Sequence, residues 1–300
     1  MNQRIFRCAI GALLTLASAR AGYVASVVTQ GRVNENTFFD TASYNGLVVG
    51  SQFTTTGGGV QSGTTDTNGL ATSVFEMQQI SGIDAASSSS GYVNLATGKM
   101  GGVASAGPNV SDAIADESYS DLLHFAVSGA GSGTITDIGV SLTVDGVMSA
   151  GSLNDENQVV LLLNIDGNTM QIDIGQNLSG SVCVGSPCVY GESVAGNWVA
   201  SSFSGTNPNS VTFTGVFALT GPTQDVPVSS ELEVVASGAD SVGTTDYSQT
   251  AAISLSLPQG VSFTSDSGVF LTQSTVPEPS AIWFAGAGLT VLGLLRRRAR

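Results

Sequence analysis

Residues 159–174 read VVLLLNIDGNTMQIDI, two apolar runs separated by Asp166-Gly167-Asn168. The two runs read as strands of a chain whose pattern is period two, as where Leu123, Phe125 and Val127 alternate against His124 and Ala126. Asp-Gly favours the tight turn whose two central residues both need positive φ, and the stretch is predicted to be a β-hairpin with one face in a core. Further strands of the same rhythm are expected at 123–127, 134–147, 211–219, 231–236, 251–257 and 261–264, most of them separated by glycine or proline. No amphipathic helix of useful length interrupts this series between residues 22 and 270. The expected fold is therefore all-β, a single β-sandwich, jelly-roll-like, over 22–270. The Gly-, Ser- and Thr-rich segment 54–90 is expected to hold long loops.

Charge and composition narrow the partners. The chain has 23 acidic and nine basic residues, a formal net charge of −14. Four of the arginines lie in the last five positions and three, Arg4, Arg7 and Arg20, lie at the other end, so Arg32 and Lys99 are the basic residues of the body. Such a body repels nucleic acid and anionic lipid, and no nucleic-acid partner is expected. Its wealth of Ser, Thr, Gly and Val suits the exposed strands of an exported protein.

Both ends carry targeting features. Arg4 and Arg7 precede an apolar run at 8–17, followed by Ala17-Ser18-Ala19 or Ala19-Arg20-Ala21 as the cleavage site, which reads as a secretory signal peptide over 1–21. Cys8 lies too early for a lipoprotein cysteine. At the other end, residues 281–295 hold no charged side chain. As a helix they reach ~22 Å against a hydrocarbon core of ~30 Å. Arginine snorkelling at one end and Trp283 at the other interface accommodate the difference, giving a short transmembrane helix with a cytoplasmic basic tail, Arg296, Arg297, Arg298 and Arg300. The alternative is a buried C-terminal helix. Pro277 and Pro279 stop any helix from running backwards, so 271–280 is expected to be an extended linker around Glu278.

The order Pro277-Glu278-Pro279, apolar helix and arginine cluster resembles the PEP-CTERM sorting signal of exported bacterial proteins. The resemblance implies that the partner is an exosortase, a membrane cysteine protease-transpeptidase that removes the tail and releases the protein to the cell surface or extracellular polymer matrix. It implies an inner-membrane precursor that is a substrate of the exosortase and carries none of that enzyme's catalytic machinery. Softer likenesses to exported domains that precede such signals lie at 95–106, at 119–134 and at 246–263, and they imply an extracellular sandwich.

Cysteine usage agrees with export. Without Cys8, the pair Cys183 and Cys188 remains in VCVGSPCVY, where Gly185 and Pro187 favour a turn. A small-loop disulfide worth ~2 kcal/mol is expected, with a metal or redox pair as the rival reading.

The search for chemistry yields weak candidates. His124, the only histidine, lies among apolar neighbours in a strand, and no Gly-x-Ser-x-Gly elbow accompanies it; an outward strand residue is the plain reading. Carboxylate pairs occur at Asp116 and Glu117, Asp155 and Glu156, and Glu231 and Glu233. The last pair would lie ~7 Å apart on one face, a separation an inverting glycosidase uses, although solvated strand carboxylates are commoner. No cofactor is expected. Oxygen-rich turns at 154–157 and 166–168 fit either a structural calcium or Asx side chains bonded to the backbone. Three functions survive: a non-enzymatic surface or matrix component, which is favoured; a carbohydrate-binding module using Tyr190, Trp198, Phe203, Phe213 and Phe217; and a secreted glycoside hydrolase.

Overall fold

The computed structural model describes residues 23–33, 36–44, 49–54, 59–65, 70–77, 87–108, 110–177, 188–196, 198–200, 210–238 and 240–272. The hairpin at 159–174 forms as β11 (Asn157–Ile165) and β12 (Asn168–Gln176), with Val159 opposite Ile174 and Leu163 opposite Met170. Its turn residues Asp166 and Gly167 have φ of 51° and 74°, the doubly left-handed geometry of a type I′ turn. Asn168 closes the turn by donating from Nδ2 to the carbonyl of Ile165.

On one side β11 pairs with β16 (Thr223–Gly238), which pairs with β8 (Val110–Val127). The sheet continues through β1 (Val24–Val33), β2 (Asn36–Tyr44) and β3 (Val49–Thr54), and on its other side β12 pairs with β13 (Cys188–Ala195). A second antiparallel sheet orders β14 (Trp198–Ala200), β15 (Ser210–Thr220), β9 (Ile135–Asp145), β17 (Gly243–Ser256), β7 (Lys99–Ala106), β6 (Ser87–Asn94), β5 (Leu70–Met77) and β4 (Gly59–Thr65). Two short strands complete the pair of sheets: β10 (Val147–Ala150) on β17, and β18 (Val261–Ser265) on β8.

The inner faces share one apolar cluster. Val159, Leu161, Leu163, Ile172, Leu232 and Phe125 from the first sheet meet Ile138, Leu142, Phe213, Phe217 and Ile253 from the second. Phe125 and Phe217 touch across the sheets edge to face, with centroids 5.6 Å apart. This is a β-sandwich, and among the described residues there is no helix.

Within 54–90, where long loops are expected, the described residues form strands β4, β5 and β6, and 55–58, 66–69 and 78–86 lie outside the described residues. In β6 the inward positions are Ser87, Ser89, Gly91 and Val93, so burial alternates where hydrophobicity does not. The expected continuous strand over 134–147 ends at Asp145, and residues 95–98 form a turn. Leu271, assigned to the linker, packs into the body instead, because Phe270 and Leu271 together fill the space beside Tyr119, Gly98 and Ile253.

Candidate functional site

Strand parity places the chemistry of β8. Ala113, Ala115, Glu117, Tyr119, Asp121, Leu123 and Phe125 face inward, and the residues between them face outward. Glu117 is therefore in the core, fully buried, and neither carboxyl oxygen has a hydrogen-bond partner. Gly91 and Gly102, paired across β6 and β7, leave the space it fills; a Cβ on Gly102 would stand 2.7 Å from its Oε1. Burial pushes the Glu117 carboxyl well above the usual carboxylate range, and the neighbouring Asp116 and Glu233 push the same way.

Asp116 faces the opposite side of the sheet and is 5% exposed, with Glu233 directly opposite it on β16. Burial, then the charges of Glu231 and Glu233, hold Asp116 well above the ordinary range, and burial raises Glu231. The Glu231 and Glu233 pair thus shares its face with a third carboxyl. Among the described residues, no group of three or more His, Cys, Asp or Glu side chains is arranged to hold a metal ion.

His124 faces outward as expected, and it sits between two carboxylates. Asp225 of β16 lies 2.8 Å from Nδ1, and Asp266, just past β18, lies 2.7 Å from Nε2. Hydrogen bonds donated to Asp225 and Asp266 raise the imidazole above its ordinary value, since only imidazolium donates at both nitrogens. Among the described residues no serine or cysteine bonds either ring nitrogen, and the geometry is that of an ionic clasp.

The same region fastens the end of the body. Asp121, 3% exposed, accepts from the amides of Leu122 and Ser267 at 2.8 and 3.2 Å, and from the Ser267 hydroxyl. Phe270 stacks obliquely on Tyr119 at 5.8 Å, and the Leu271 amide donates to the Leu95 carbonyl at 2.9 Å. Thr272 closes the turn onto the Val269 carbonyl.

In the oxygen-rich turn at 154–157 protein donors satisfy the Asp155 carboxylate, whereas the buried Oδ1 of Asn157 has no hydrogen-bond partner. Asp155 accepts from the amides of Ser152, Asp240 and Ser241 and from the Ser241 hydroxyl, while Asn154 donates to Asp240. Burial opposes the Asp155 charge, but these bonds outweigh it and hold the carboxyl below its ordinary value. At 166–168 the side chains serve the type I′ turn and Gln224.

Of the five aromatics proposed for a sugar-stacking platform, Phe213 and Phe217 lie in the core, 0% and 2% exposed, because their strand parity points inward. Tyr190 and Trp198 lie on β13 and β14, the outer strands of the two sheets. Phe203 lies outside the described residues. So do the expected signal peptide 1–21, Cys183, Pro277, Glu278, Pro279, Trp283 and the arginine cluster at 296–300; Cys188 opens β13. No helix among the described residues is long and apolar enough to cross a membrane, and residues 281–295 lie outside them.

The described body is an all-β sandwich whose last described residue is Thr272. The tail, residues 275–299, matches the PEP-CTERM protein-sorting motif, which implies export and sorting by an exosortase at a membrane. No curated protein and no solved structure matches the chain.

Proposed function

We propose that the chain is a non-enzymatic surface or extracellular-matrix protein whose sandwich is exported under a signal peptide at 1–21. It is then held by a membrane helix at 281–295 until an exosortase cuts the tail near Pro277-Glu278-Pro279. The observation that carries this reading is the sorting motif at 275–299. Trp283 and Arg296, Arg297, Arg298 and Arg300 would fix the helix at the two interfaces, and Cys183 and Cys188 would close a disulfide once outside. A bulk or adhesive role is supported by the way polar groups are used: the buried Asp121 and Asp155 secure turns, and the solvated His124 clasp ties strands together.

The test is fractionation of host cells with and without the exosortase, followed by mass spectrometry of the mature C-terminus. Loss of the tail and passage to the surface only when the enzyme is present is the expected result. Intact protein in the cytosol, with both ends uncut, would overturn the reading.

A further inference from the structure

We propose that the surface around the chain exit, formed by the 95–98 turn with Lys99 and by residues 266–272, is the face of the sandwich that meets the exosortase. The proposal rests on the sorting function argued above and adds where on the body the enzyme must sit.

The exit is fixed by the fold. β18 lies on β8 at residues 123–127 and β1 lies on β8 at residues 112–120, so the two are laid end to end on the same edge of β8. The chain turns inward between them. Asp266 donates its amide to the Leu122 carbonyl, Ser267 is held by Asp121, and Phe270 and Leu271 enter the core. Leu271 bonds to Leu95, and its side chain occupies the space beside Gly98. The next residue, Thr272, is exposed, as is Lys99.

Only residues 273–276 separate this fastening from Pro277. Five fully extended Cα steps from Thr272 to Pro277 span at most ~18 Å. A domain of about 250 residues has a radius of gyration of about 18 Å. A motif on so short a lead cannot enter another protein's active site while the body stands clear, so the rim of that site must touch the surface at the exit. Residues at the far end of the same strands are excluded by distance: β7 runs from Lys99 to Ala106, about 23 Å of strand, and Ala106 pairs with Gly243 beside the loop that carries Leu153.

The experiment uses the full chain in its host, with a photo-crosslinking residue at Lys99, at Thr97 or at Leu153, which is 66% exposed. Capture of the exosortase from positions 97 and 99 should exceed capture from 153 by about tenfold, since a short lead sets a high local concentration on one side only. Inserting a flexible Gly-Ser segment of about twenty residues between Gln273 and Ser274 should abolish that difference, because its mean span of about 25 Å frees the body to turn. Equal capture from 153, or none from 97 and 99 while the tail is still cut, would overturn the proposal and leave the sorting function standing. A tail that stays uncut in the presence of the enzyme would overturn both.

Discussion

Gly102 stands against Glu117 so closely that a Cβ there would lie 2.7 Å from Oε1 and 2.8 Å from Oε2. The glycine is the complement of a carboxylic acid placed between two sheets. Gly102→Ala should therefore destabilise the protein by about 1–3 kcal/mol, the usual cost of overpacking a core. Thermal unfolding of a double-mutant cycle with Glu117→Ala checks the cause: with the carboxyl gone, the alanine at 102 should cost much less than it does alone. Additive effects would show that the strain lies elsewhere.

Glu117 also makes stability depend on pH. Its folded-state carboxyl titrates well above the usual range, from burial first and then from Asp116 and Glu233, with Asp116 raised beside it. Between the ordinary glutamate pKa of ~4.3 and the raised folded value, the unfolded chain binds fewer protons than the folded one, so stability falls as pH rises through this window. Glu117→Gln removes one of these groups while keeping the shape. Urea unfolding should show the variant close to wild type near pH 4 and progressively more stable than it towards pH 8. Parallel curves would place the pH dependence on other groups.

The buried glutamate was open to inference from parity, and its cradle was not. Ala113, Ala115, Tyr119, Leu123 and Phe125 share one parity in β8, and that parity carries Glu117 and Asp121 inward with them. A charged residue is ordinarily assigned to the solvent face, which masks the signal. The hairpin β11–β12 was legible because alternation and Asp166-Gly167 agree. Strands β4–β6 were not, since small and polar residues such as Ser87, Ser89 and Gly91 fill inward positions and hydrophobicity has no period there. His124 was legible as outward, but Asp225 and Asp266 lie 101 and 142 residues away, and only the pairing of β16 and β18 with β8 brings them to it.

The His124 clasp should loosen as the imidazole loses its proton. Its folded pKa is raised, by the hydrogen bond to Asp225 first and that to Asp266 next, so its contribution is complete below the ordinary value of ~6.5 and is lost as pH rises through the folded value. The group is largely solvated, and pairs of this kind contribute below about 1 kcal/mol, less at high salt. Hydrogen exchange should show amides of Val261–Ser265 less protected at pH 8.5 than at pH 5.5 after correction for intrinsic exchange. His124→Gln should flatten that difference, and an unchanged difference would remove the clasp from the account.

Asp155 should have the opposite pH signature and a larger structural effect. It is fully buried, and its carboxylate ties the loop at 152 to the one at 240–241 through three amides and a hydroxyl. Asp155→Ala leaves those donors facing each other without an acceptor, and a loss of roughly 2–4 kcal/mol is expected from hydrogen bonds to a charged group. Because its folded pKa lies below the ordinary ~3.9, the stabilisation is present above that value and disappears as pH falls through the folded one. Chemical unfolding at pH 3 and pH 7 separates the cases: the variant's deficit should be large at pH 7 and smaller at pH 3. Added calcium should leave the wild-type midpoint unchanged, since both Asp155 carboxylate oxygens already accept from the protein; a calcium-dependent rise that Asp155→Ala abolishes would contradict this role.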